Sequence, residues 1–316
     1  MRFTDLHEDF GIASQKTDII HEANQSNLDF LKSFDDVLVF GVSFPHIATM
    51  NESGASTMGQ ERSAGKFNPK GTVASWEDLM EQLKMYKYLE RINEIVVVRN
   101  ADDLMKKGVK MLLSLEGTDC LRNPYDLYLL HDLGLRNIGL TWNYDTKFAA
   151  AAMSKKDYGL TGFGEELIEI ADKSGIIIDL AHASKRTILD TCEVTKKPVI
   201  NSHSNSKSVY DNIRNLDDES IQAIADTDGV IGVTAIKGTL GEEPSIDDIV
   251  THMEYIGDNF GWRHVALGTD FLGINETPKG FENVLKIEQL AEKLGSRSEQ
   301  VLWENPLRVI KSILTH

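Results

Sequence analysis

The sequence predicts a (β/α)8 barrel of the TIM type. Eight short apolar or β-branched runs alternate with helical patterns along 316 residues. Several of those runs are continuously apolar, as strands of a parallel sheet covered on both faces are. Residues able to bind metal or move protons stand just past the ends of the runs, where a barrel gathers its chemistry. One barrel domain over residues 1–316 fits the length.

The expected strands follow in order. Arg2 to Asp5 runs into His7. Val37 to Phe44 comes next, then Val109 to Leu115 in GVKMLLSLEG. Ile138 to Thr141, Ile176 to Leu180, Pro198 to Ser202, Val230 to Thr234 and Val265 to Gly268 complete the eight. Between them, Ser75-Trp-Glu-Asp78 resembles a capping box and opens a helix to about Arg91. Helical spacing also covers 161–174, stopped by Gly175, and 184–194, 217–226, 245–260, 279–294 and 306–314. Residues 46–72 break the rhythm: rich in Ser, Gly, Thr, Met and Asn, they are expected to form a long excursion after strand two, at the catalytic end, either a lid or rim or an ordinary mobile insertion. No repeat of fixed period is present.

Composition narrows the function. With 41% hydrophobic and 26% charged residues, the chain can bury a large core and remain soluble. A net charge of −16 argues against nucleic acid and anionic membranes as partners. Cys120 and Cys192 share no metal-binding or disulfide-scaffold spacing. No run reaches the roughly 18 apolar residues of a membrane span. MRFTDLHEDF has three acids and no apolar core of a signal peptide, so a cytoplasmic location is expected.

Past the strands stand Asp5, His7 and Asp9 after the first, Glu116 after the third, His182 and His203 after the fifth and sixth, and Asp270 after the eighth. His7-x-Asp9 places two ligand types on one side of an extended segment, and imidazole with carboxylate suits zinc and similar divalent ions. Glu116 ends an apolar strand, where a carboxylate needs a partner. A metal would supply one, and its two oxygens could bridge two ions. Strands at about 4.8 Å spacing let His182 and His203 share an ion. His21, His46, His131, His252, His264 and His316 receive no role.

Together these segments resemble the membrane (renal-type) dipeptidase family of zinc peptidases. DLHED at 5–9, LSLEG at 113–117, LGLRNIGLTWN at 133–143 and IDLAHAS at 178–184 carry the resemblance, continued by PVINSHSN at 198–205, RNLDDE at 214–219, GTDFLG at 268–273 and ENPLRV at 304–309. It implies a barrel with two divalent ions, zinc by family habit. His7 and Asp9 would hold one, His182 and His203 the other, and Glu116 would bridge them. It further implies that Arg214 holds the substrate carboxylate, that Asp270 handles protons, and that the protein forms a homodimer. The implied activity is hydrolysis of small dipeptides by metal-activated water.

Three positions depart from the family pattern. Trp142 stands where the family has a substrate-contacting histidine, Leu272 replaces the second Asp of DFDG, and GTDC follows Glu116. None removes a metal ligand. Trp142 and Leu272 keep open a hydrolase of another small amide, acylated amino acid or lactone, and a metal-binding protein with little catalysis is a third reading.

Overall fold

VLVFGV and VKMLLSL are buried along their whole length, as strands sandwiched between a filled barrel and a helical coat must be. The computed structural model describes residues 1–45 and 71–314. Its strands are β1 (Arg2–Glu8), β2 (Asp36–Ser43), β3 (Val96–Val97), β4 (Val109–Leu115), β5 (Leu135–Gly139), β6 (Ile177–Asp179), β7 (Ile200–Asn201), β8 (Val230–Val233) and β9 (Val265–Leu267). All pair in parallel, in the order β1-β2-β4-β5-β6-β7-β8-β9, with β3 attached beside the first half of β4. Eight strands thus make the expected (β/α)8 barrel.

The ring closes between β9 and β1 by contacts just past the strands. The Asp270 amide donates to the His7 carbonyl at 3.0 Å, and the Asp9 amide to the Phe271 carbonyl at 2.9 Å. The Asp5 carboxylate accepts the amide and hydroxyl of Thr269 at 2.9 and 2.7 Å. Asp5 therefore serves the seam.

Strand side chains divide with period two. Val37, Val39, Met111, Leu113, Ile138 and Ile178 join the large core beneath the helices. Leu38, Phe40, Leu112, Ile177, Val230 and Ala266 form a second cluster with Trp303 and helix Asn305–Ile313. Asn305 and Arg308 bond carbonyls of Val265 and Asp228, at the starts of β9 and β8, so this helix covers the end of the barrel opposite the site.

Two glycines let the strands approach inside. A Cβ at Gly268 or Gly232 would lie 1.7 or 2.0 Å from the Ser202 carbonyl oxygen, which is backbone and has nowhere to go. Gly268→Ala is expected to cost about 3 kcal/mol or more, read from the denaturant midpoint. An unchanged midpoint would contradict the packing.

Four of the expected helices start at side-chain caps. Thr161, Ser184, Asp217 and Ser245 accept amides of the first turns of helices Gly162–Ser174, Lys185–Val194, Asp218–Asp226 and Ile246–Ile256, and Gly175 ends the first of these at φ 71°. Elsewhere the boundaries move. Helix Gly71–Arg91 begins before Ser75, which is an interior residue rather than a cap. The expected excursion therefore ends at residue 70, and residues 46–70, His46 included, lie outside the described residues. The α-helix expected to reach 260 stops at Ile256 and continues as a wider turn to Gly261. Only Ile287–Leu294 of 279–294 is α-helical. β5 starts three residues earlier than expected, because Arg136 satisfies three carbonyls and Asn137 bonds Ser114, which makes these polar residues tolerable in a buried strand. Among the described residues no helix is long and apolar enough to cross a membrane.

Candidate metal centre

The alternation that fills the barrel also aims the strand ends. Glu116 continues the inward register of Leu112 and Ser114, and His7 lies within β1, which runs three residues beyond the expected Asp5. His182 and Asp270 have left-handed backbones, φ 64° and 63°, an unfavourable state for non-glycine residues. The state is held from outside: the His182 carbonyl accepts the Ala152 amide at 2.7 Å, and the Asp270 amide is bound to His7.

Five expected ligands meet here, all buried. Glu116 Oε1 lies 2.9 Å from His182 Nε2 and 3.6 Å from His203 Nε2, while its Oε2 lies 3.7 Å from His7 Nε2. His7 Nε2 is 3.6 Å from Asp9 Oδ2 and 3.6 Å from Asp270 Oδ1. The two oxygens of Glu116 thus face different imidazoles. Three triads, Glu116–His182–His203, His7–Asp9–Glu116 and His7–His203–Asp270, each bring ligand atoms within 4.8 Å of one another.

The donors fit divalent cations. His7 Nε2 and Asp9 Oδ1 are buried without a hydrogen-bond partner, and the Nε2 atoms of His182 and His203 face each other at 2.9 Å. A cation accepting those lone pairs resolves both anomalies, and nitrogen with carboxylate oxygen suits zinc, manganese or cobalt. The Asn143 carboxamide oxygen, 2.9 Å from His182 Nδ1, takes the hydrogen there and turns the Nε2 lone pair inward.

Electrostatics agree. Burial, then the charge of Arg214, pushes His182 down to about 3, and burial pushes His203 down as well, so both rings are neutral donors. Burial opposes a charge on His7, but Glu116 and Asp9 outweigh it and raise its pKa. Burial and the neighbouring Asp9 raise Asp270 well above the usual carboxylate range. Three carboxylates in one enclosed space repel, and a cation relieves them.

Arg214 is half-buried at a cavity of about 230 Å3 that it lines with His182, Ala152, Lys207, Ile213 and Leu216. Its Nη2 is enclosed without a partner. Trp142 stands beside His182, its ring 6.0 Å from that of His182 and 5.1 and 5.8 Å from Phe44 and Tyr144. Leu272 instead packs against the large core, its amide donating to Gln25 at 2.6 Å.

Of the other histidines, His252 is buried away from the site, its Nδ1 accepting the Ser206 amide at 3.1 Å. Burial pushes it down to about 4, against about 6.5 when unfolded. The unfolded chain therefore binds the extra proton between those values, and stability falls as pH drops through that window. His252→Gln is expected to remove about 2 kcal/mol of the stability difference between pH 7 and pH 5, measured by urea unfolding of the metal-free protein. An identical pH dependence in the variant would refute this.

Asn143 was not among the expected residues. Its only sequence signal is a place one residue beyond Trp142, past a strand end.

Comparison with known proteins gives a family match and a shared fold. The family model for membrane dipeptidases (peptidase family M19) matches residues 3–315. Two uncharacterized dipeptidases of Schizosaccharomyces pombe are each 33% identical, over 223 and 268 residues, or 66% and 78% of this chain. The chain spans 54% and 64% of their lengths. A metallopeptidase from Rhodobacter sphaeroides, liganded with a phosphinate mimic of the dipeptide L-Ala-D-Ala, shares the fold at a TM-score of 0.85 and 20% identity, covering 99% of both chains.

Proposed function

The chain belongs to the membrane dipeptidase family, and on that premise we propose that it hydrolyses small dipeptides with water activated by two divalent metal ions. The observation that carries the reading is Glu116, whose two oxygens face separate sets of imidazoles. His7 and Asp9 would hold one ion, His182 and His203 the other, and Glu116 would join them. Zinc is the ion we propose. Bound there, such ions acidify water and polarise the scissile carbonyl.

The protein supplies the rest. Asp270, whose Oδ1 lies 3.6 Å from His7 Nε2 at the edge of the ligand cluster, takes a proton from the attacking water and returns it to the leaving amine. Arg214 presents an unpartnered guanidinium nitrogen to the substrate carboxylate. Trp142 offers an apolar face to a substrate side chain. The dipeptide mimic on the Rhodobacter relative supports a substrate with small side chains. The reading extends to a cytoplasmic enzyme, a homodimer without nucleic-acid or membrane partners, and one barrel domain. Cell fractionation and light scattering check the first two.

Metal counting and an alanyl dipeptide assay test the proposal together. About two ions per chain, with cleavage abolished by a chelator and restored by zinc, manganese or cobalt, is the expected result. No bound metal would sink it. Two ions without dipeptide cleavage would favour the second reading, a hydrolase of another small amide, acylated amino acid or lactone. The aromatic cluster of Trp142, Phe44 and Tyr144 is the observation behind that alternative.

A further inference from the structure

His7 and His203 belong to different proposed ions, yet their inner nitrogens meet at one atom. Ser202 Oγ lies 2.8 Å from His203 Nδ1 and 3.3 Å from His7 Nδ1. Ser202 and Asp179 are both buried. Asp179 Oδ1 accepts the amides of Ser202 at 2.9 Å and Ala181 at 3.0 Å.

The hydrogen count is decisive. A serine hydroxyl has one hydrogen and two lone pairs. Its two lone pairs match two Nδ1–H donors, one from each ring, with the hydroxyl hydrogen turned away from both. Each imidazole, once it lends Nε2 to a proposed ion, is neutral and carries one ring hydrogen. With it on Nδ1 in both rings, both Nε2 lone pairs point toward Glu116 and the proposed ions. The Ser202 backbone cannot drift, because its carbonyl is packed against the Cα atoms of Gly232 and Gly268.

We propose that Ser202, oriented by Asp179, is a positioning residue that sets the tautomers of His7 and His203 together and so prepares both metal sites at once. This rests on the two-ion reading above. Histidine partners of this kind are commonly worth tenfold to a hundredfold in metal affinity.

The test is zinc titration of the wild-type protein and Ser202→Ala against a chromophoric chelator, with melting of the metal-free forms as a folding control. Wild type is expected to hold two zinc ions. Ser202→Ala is expected to weaken both by about tenfold to a hundredfold. Wild-type affinity at both sites in the variant overturns the proposal, and a loss confined to one ion overturns the shared role. A wild type holding fewer than two ions overturns the two-ion reading itself, before any variant is considered. Should Ser202→Ala fail to fold, nitrogen NMR of the zinc-loaded wild type decides: Nδ1–H on both rings is expected, and Nε2–H on either overturns the assignment.

Discussion

Glu116→Gln is expected to lower kcat/KM on a dipeptide by about a thousandfold or more, about 4 kcal/mol of transition-state stabilisation, and to reduce the metal content. The substitution conserves shape, so the cause is electronic. One oxygen becomes an NH2 that only donates. Turned toward His182, it places hydrogens against a ring nitrogen 2.9 Å from the present oxygen. Turned the other way, it faces His7 at 3.7 Å. Either orientation spoils one ion's ligands, and both ions lose a negative charge. Metal analysis beside steady-state kinetics checks this. A variant with two ions and activity within tenfold of wild type would remove Glu116 from the bridging position.

The same geometry explains what the linear sequence could reveal. His7, Glu116, His182 and His203 were legible because each follows an apolar run, where a buried polar residue needs a reason. Asp179, Ser202 and Asn143 were not. Serines, carboxylates and carboxamides near strand ends are common, and only the folded barrel shows that Ser202 and Asn143 touch the inner nitrogens of the ligand histidines while Asp179 holds the Ser202 amide. β3 escaped notice because two paired residues carry no period. Ser75 misled because a Ser-x-x-Asp pattern looks the same at a helix start and inside a helix already begun at Gly71. Arg136 and Asn137 concealed the start of β5, since their compensating hydrogen bonds come from residues distant in the chain.

Arg214→Ala is expected to separate recognition of the substrate from assembly of the metal centre. Against a dipeptide with a free carboxylate, kcat/KM should fall by about a hundredfold to a thousandfold, about 3–4 kcal/mol, because an enclosed ion pair loses one partner. Against the same dipeptide amidated at its C-terminus, the change should stay within a few-fold. Metal content should not fall. Arg214 makes no direct contact with the clustered ligand atoms, and its positive charge disfavours protonation of His182 without holding the ring, whose Nδ1 is fixed by Asn143. Arg214→Lys should recover only part of the loss, since an ammonium cannot form the parallel pair of hydrogen bonds a guanidinium offers a carboxylate. Equal losses on the acid and the amide would show that Arg214 shapes the cavity without reading the carboxylate. Loss of metal alongside activity would place its role in the centre itself.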